Sequence, residues 1–551
     1  MRSIFFVAVV VAVFVLMCGT ASAAQIEIYS AADLMKIGTG MNDGVNWTMD
    51  DEYFLMNSID LSGIPFVPIG TALNPFNGSL YGNGYTISGL KIDLPDTDGV
   101  GLFGYAYITS FNDITVTDFD IHGNSAVGVL VGYTEIGSFS NCHLSGGGSG
   151  NATVTAKNNN VGGFIGESDY IHFDECSVSD VTVTAGDSGA GGFIGSNNCF
   201  YVLSNSIVSS DVGAVTVTAT YCAGGFAGMI SEGTNFDSTV FGAVTVTAEF
   251  YAGGFVGLAE NYCEYMNCTV TGDEDYPVTI SVKYSNAGGF SGGTYASTEN
   301  NYLFFIDCSV SGAVTVIADV ANAGGFGGES NHCMLLNCSV LSGSGAVTVI
   351  AYDGAGGFIG SFFSGEFYDC SVFGELTVTA DHSAGGFVGN ILVNCDFFNC
   401  TVTGDEIYPV TIIVDFDDAG GFVGFAGRYF DSNNISFYDC SVSGAVTVIA
   451  NAGSAGGFAG ESEYCILFNC SVSGGNGDNG GSGDNGGNGG NGDNGGNGGN
   501  GGNGAVTVIA YDGAGGFIGS LFSGYIYECS VFGDLTVMAD YSAGGFIGNT
   551  F

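Results

Sequence analysis

The sequence predicts an all-β fold: a right-handed parallel β-helix with about 30 residues and three short strands per coil, opened by a short capping helix. Three observations carry this. A Gly-Gly-Phe-x-Gly knot recurs with its ring at Phe164, Phe193, Phe226, Phe255, Phe290, Phe326, Phe358, Phe387, Phe422, Phe458, Phe517 and Phe546. Two looser versions, at 101–104 and 128–132, precede them, and the spacings run from 27 to 36 residues apart from one of 59. Between knots, hydrophobicity alternates with period two and β-branched residues sit between Gly or Asp turns, the signature of strands. Finally, Phe290 to Phe422 and Phe326 to Phe458 are both 132 residues apart, so a block of coils has been copied. Copying extends a solenoid easily, because each repeat meets only its neighbours.

From the start of the chain, residues 1–23 form an export signal: Arg2, an uncharged apolar run from Ile4 to Met17, then Ala21-Ser22-Ala23. The run is shorter than the roughly 20 residues a membrane-spanning helix needs, and no later segment is long and apolar enough to span a bilayer. Residues 24–100 hold the cap and the first coils. Ser30 is placed to cap a short helix through Ala31, Asp33, Leu34 and Ile37. Such a helix covers the first coil's open edge, which would otherwise template aggregation. Residues 101–473 carry the repeats. One unit shows their plan: Tyr368, Cys370 and Val372 alternate with Asp369 and Ser371, and after Gly374 the residues Leu376, Val378 and Ala380 alternate with Thr377 and Thr379. Residues 474–504, rich in Gly, Asn and Asp, read as a flexible insertion. Residues 505–551 complete the final coils, and fourteen knots at roughly 4.8 Å per coil make a rod about 70 Å long.

The opening segments are the most specific. Ser30-Ala31-Ala32-Asp33-Leu34, Ile59-Asp60-Leu61, Pro68-Ile69-Gly70 and Pro75-Phe76-Asn77-Gly78 are followed by Gly82-Asn83-Gly84-Tyr85 and Gly101-Leu102-Phe103-Gly104. In this order they resemble the start of GLUG-motif proteins, a family of secreted, adhesin-like β-helical proteins of microbes. The resemblance implies a cell-surface or extracellular solenoid and supplies no catalytic residues.

Composition narrows the partners. The chain has 6 Lys plus Arg against 55 Asp plus Glu; loss of Arg2 with the signal leaves 5 − 55 = −50. Nucleic acid is excluded as a partner, since affinity for it comes from cations neutralising phosphates. An anionic membrane surface is disfavoured for the same reason. Cell-surface glycans or envelope proteins remain the expected partners.

The repeats align residues into rows. The knot Phe is read as core, because the residue after it varies down to Ser291 and Gly327 and so points outward. Cys268, Cys308, Cys338, Cys370, Cys400, Cys440, Cys470 and Cys529 share one position in eight successive coils, and Cys263, Cys333, Cys395 and Cys465 lie five residues earlier in alternate coils. Buried thiols are favoured over disulfides, because in-register side chains point in parallel and strain an S–S bond. Thr153, Thr182, Thr216, Thr245, Thr279, Thr315, Thr348, Thr377, Thr411, Thr447, Thr507 and Thr536 form an outward row in twelve coils. Two residues on, a second row begins as Thr155, Thr184, Thr218 and Thr247, then drifts to Ile and Met. Asp187, Asp353, Asp381, Asp415, Asp417, Asp418, Asp512 and Asp540 gather at the turn before the knot, where stacked carboxylates suit calcium. Asn267, Asn337, Asn399 and Asn469, each followed by Cys and then Ser or Thr, fit either glycan acceptors or a buried Asn ladder.

No catalytic constellation emerges, since the five His (122, 143, 172, 332, 382) are scattered. The sequence therefore points to a non-catalytic, adhesin-like surface presenting acidic and Thr-rich rows. An ice-binding face built on the Thr row, or a polysaccharide-binding or -degrading β-helix, is the alternative.

Overall fold

The computed structural model describes residues 24–551 apart from 148–151, 199–200, 211–212, 298–300, 428–434 and 475–503. The export signal, and nearly all of the Gly/Asn/Asp insertion, lie outside the described residues. The chain is 61% strand and winds into a parallel β-solenoid of about 14 turns with about 32 residues per turn. Four parallel sheets of 21, 15, 14 and 13 strands run along it. A coil therefore contributes four strands: Gly354–Gly356, Ile359–Tyr368, Ser371–Phe373 and Leu376–Ala380 form one. The Ala-Gly strand of the knot is the addition to the three expected from sequence. It is two or three residues long, too short for alternation to show.

Register is strict. Val349 lies opposite Val316 on one side and Val378 on the other, and Ala351 opposite Ala318 and Ala380. In this sheet each inward Val or Ala thus stacks on its counterpart in the next coil. The knot rings Phe164, Phe193, Phe226, Phe255, Phe290, Phe326, Phe358, Phe387, Phe422, Phe458 and Phe517 are at most 1% exposed. The residue after the ring does not point outward as expected: Ile165, Ile194 and Ser291 are buried too, because the bend at the knot interrupts the alternation. Neighbours stack face to face, as Phe290 and Phe326 do at 4.9 Å and 3°; Phe546 packs partly buried onto Phe517 at 4.9 Å. A second stack, Phe367, Phe397 and Phe437, comes from the 21-stranded sheet. It meets the first edge to face, with Phe422 and Phe437 at 89°. Offset-stacked and edge-to-face pairs are the two favoured aromatic geometries, each worth about 0.5–1.5 kcal/mol beyond area burial.

The knot glycines are required by close backbone approach. A Cβ on Gly357 would lie 2.1 Å from the carbonyl oxygen of Gly386 in the next coil. Cys268, Cys308, Cys338, Cys370, Cys400, Cys440 and Cys470 are fully buried free thiols, and Cys529 is half-buried. Each thiol bonds backbone: Cys308 Sγ donates to the carbonyls of Tyr265 and Ile306, both at 3.4 Å. The second cysteine set does not stack on itself, because Leu303, Gly365 and Ile435 occupy the intervening rungs.

At the start, Gln25–Ile28 forms the first rung against Glu52–Leu55. The helix is Ala31–Leu34, capped by Ser30, whose side chain accepts from the Asp33 amide. Leu34, Ile37 and Trp47 join the solenoid core from this segment.

Candidate interaction surface

Three outward rows run along the rod. The first is the Thr row, in register from Thr153 to Thr536. Its side chains are half-buried to exposed. Beside it Thr155, Thr184, Thr218 and Thr247 give way to Ser281, Ile317 and Ile350, so hydroxyls cover only part of that face.

The second row corrects the buried Asn ladder. Asp237, Asn267, Asp307, Asn337, Asp369, Asn399, Asp439 and Asn469 occupy successive coils at one exposed corner, all left-handed with φ between 50° and 56°. Asn and Asp tolerate this conformation best among non-glycine residues. Asp and Asn alternate, and each amide reaches the carboxylate one coil earlier. Asn267 donates to Asp237, Asn337 to Asp307 and Asn469 to Asp439 at 2.6 Å, and Asn399 to Asp369 at 2.7 Å. The side chains point outward because a left-handed corner turns them away from the core. The alternation keeps like charges two coils apart.

The third row is the turn between the Thr-bearing strand and the knot. Asp353, Asp381, Asp415, Asp417, Asp418, Asp512 and Asp540 all lie along this edge. Three of them are separately engaged: Asp417 lies 2.8 Å from His382 Nδ1, Asp415 accepts from Asn451 at 2.9 Å, and Asp418 accepts from the Ser454 amide. Asp418 is half-buried with its carboxyl turned out of solvent. Burial, reinforced by the Glu461 carboxylate, pushes it up to about 8. In its protonated form it donates to Glu461 while accepting from the Ser454 amide at 3.1 Å. Among the described residues, no group of three His, Cys, Asp or Glu side chains converges to hold a metal ion.

Along the same edge runs an aromatic row absent from the sequence expectation: Tyr221, Phe250, Tyr284, Tyr352, His382, Phe416, Tyr511 and Tyr541, with Val320 and Ala452 filling two coils. Backbone bonds set Phe416 opposite His382 and His382 opposite Asp353, so the Tyr352 ring reaches this edge from one residue earlier in its coil. Ring centroids lie 5.6 Å apart for Tyr221–Phe250, 6.0 Å for Phe250–Tyr284 and 5.1 Å for Tyr352–His382. The Tyr and Phe rings are well exposed, from 37% at Phe250 to 72% at Tyr541. The signal for them was an aromatic residue beside several of the acidic turn residues, as in Tyr352-Asp353, Asp415-Phe416 and Tyr511-Asp512.

The remaining histidines stay apart: His122 lies 3.3 Å from Asp120, and His143 bonds Ser177 and Asn141. Among the described residues no helix is long and apolar enough to cross a membrane.

Stacked parallel sheets and in-register rows define the class, a repeat-built parallel β-solenoid. The GLUG motif matches residues 248–274, most of one coil. The chain is 36% identical over 151 residues to halomucin of Haloquadratum walsbyi, covering 26% of this chain. It is 34% identical over 77 residues to a protein of Evansella cellulosilytica provisionally named a Gly-rich membrane protein, covering 14% of this chain. The matches span 2% and 9% of those two relatives. Among solved structures, a Bacteroides ovatus chain provisionally named an immunoglobulin A1 protease aligns over 68% of this chain and 85% of its own. The identity is 15% and the TM-score 0.25, too low to carry an argument.

Proposed function

We propose that this protein is an exported, non-catalytic scaffold at the cell surface or outside the cell, presenting long acidic rows to glycans or envelope proteins. The observation that carries this is repetition. The same outward residue types recur rung after rung, twelve times for Thr, whereas an active site needs one unique constellation. The relatives' names, a mucin and a membrane protein, support a surface role. The net charge of −49 favours hydration and cation condensation over phosphate binding. Calcium would act here as a counterion along the acidic edge; a Ca²⁺-dependent rise in melting temperature is its readout. The test is fractionation of native cells with an antibody to the protein, alongside glycan-array binding and release of reducing ends. Surface or medium localisation with binding and no hydrolysis is expected. A cytoplasmic location, or turnover of any bound glycan, overturns the proposal.

A further inference from the structure

The aromatic edge has a chemistry of its own. Each coil from Tyr352 to Tyr541, apart from that of Ala452, places a ring beside a carboxylate: Tyr352 with Asp353, Phe416 with Asp415 and Asp417, Tyr511 with Asp512, Tyr541 with Asp540. A ring face attracts a cation through its quadrupole, and a neighbouring carboxylate adds charge and hydrogen bonding.

The chain's own basic side chains at this edge are received in that way. Lys283 Nζ sits 4.5 Å from the Tyr284 ring centroid. His382 lies between Tyr352 and Phe416, at 5.1 and 6.1 Å, with Nδ1 2.8 Å from Asp417. Further along, Asp353, Asp512 and Asp540 have no Lys, Arg or His partner among the described residues. Tyr511 and Tyr541 stand edge to face at 5.1 Å beside two of them. The chain cannot fill these positions itself, with 6 Lys plus Arg against 55 acidic residues.

We infer that this edge, from Tyr352 to Tyr541, docks a basic extended peptide segment of a partner protein, its arginine side chains lying on the rings and paired to the flanking carboxylates. Charge complementarity selects this occupant. Arginine suits it better than lysine, because a planar guanidinium stacks on a ring while its edge donates to a carboxylate. The inference rests on the rod being a binding surface and names what one edge binds.

The test uses fluorescein-labelled octa-arginine and octalysine peptides, with fluorescence polarisation at 0.05 M and 0.5 M NaCl. At the higher salt the Debye length is short and diffuse attraction to an acidic rod is largely removed. Octa-arginine is expected to stay bound at 0.5 M NaCl, more tightly than octalysine. The triple variant Tyr352→Ser/Phe416→Ser/Tyr511→Ser leaves net charge unchanged and should weaken octa-arginine at least tenfold. The exposed corner variant Asp369→Asn/Asp439→Asn, which removes two charges elsewhere, should bind as wild type at that salt. Unfolding of the triple variant would show in far-UV circular dichroism; single Tyr511→Ser then serves, with a smaller loss expected. Equal binding by wild type and ring variants overturns the inference, as does release of both peptides at 0.5 M NaCl. Glycan or cell binding that persists in the ring variant leaves the scaffold function standing while this inference falls.

Discussion

Replacing Asn337 by Asp probes the alternating corner row. The substitution removes one amide-to-carboxylate bond, made at 2.6 Å to Asp307, and sets a carboxylate between those of Asp307 and Asp369. Adjacent rungs are about 4.8 Å apart, so each new repulsion is worth about 0.9 kcal/mol in water at low ionic strength. Two repulsions and the lost exposed hydrogen bond, about 1 kcal/mol, sum to about 3 kcal/mol. At 1 M salt the Debye length is about 3 Å, and the loss should shrink to about 1 kcal/mol. A rod of repeats opens locally, so the measurement is hydrogen exchange at the Asn337 and Asp369 amides, which bond Tyr368 O and Phe398 O. Exchange in Asn337→Asp should be much faster than wild type in 50 mM salt and approach it in 1 M salt. A loss independent of salt refutes the charge-spacing explanation, and Asp369→Asn, which adds no repulsion, should be nearly neutral.

Phe290→Ala should cost about 3–5 kcal/mol, because it opens a cavity in a stack at 4.8–4.9 Å spacing; local exchange in the flanking coils measures it, and an unchanged rate would mean the stack collapses to fill the gap. Burial pushes the Cys333 thiol up to about 12, so native protein should react with a thiol reagent far more slowly than denatured protein; equal rates at pH 8 would contradict the packing. The folded Asp418 group holds its proton well above the ordinary carboxylate range, to about 8. The folded state thus binds the extra proton, and its contribution, full below about pH 4, falls as pH rises through about 8. Exchange around Ala384, Ala419 and Ala455, corrected for intrinsic rate, should be faster at pH 9 than at pH 6 in wild type and pH-insensitive in Asp418→Asn.

Much of the fold was legible because the rules of a parallel solenoid act on single positions. An inward Phe must sit on an inward Phe, so Phe358 and Phe387 announce themselves at a fixed spacing. The Ala-Gly strand escaped because two residues cannot display a period. The corner row is hidden in the sequence because Asp237 and Asp307, which share the position of Asn267 and Asn337 in the alternate coils, belong to no sequon. Only the φ near +52° shared by Asn267 and Asn337 places both outside. The aromatic edge was hidden differently. Tyr221, Val320, His382 and Ala452 do not look like one column, and turns of unequal length blur their alignment until backbone bonds fix it.

One corner of the coil has a consequence for how such a rod varies. Between the third and fourth strands, the chain crosses from Ser371–Phe373 to Leu376–Ala380 in two residues, whereas 405–409 separate Thr401–Gly404 from Val410–Val414. At the equivalent corner 475–505 lie between Ser471–Gly474 and Val506–Ala510, yet Val446 still faces Val506 and Ser471 still faces Ser530. Shaft and ornament are therefore uncoupled. Whatever is spliced in at this corner is carried on the outside of a lattice whose pitch it cannot alter, so a foreign domain grafted there would be displayed at a chosen height along the shaft.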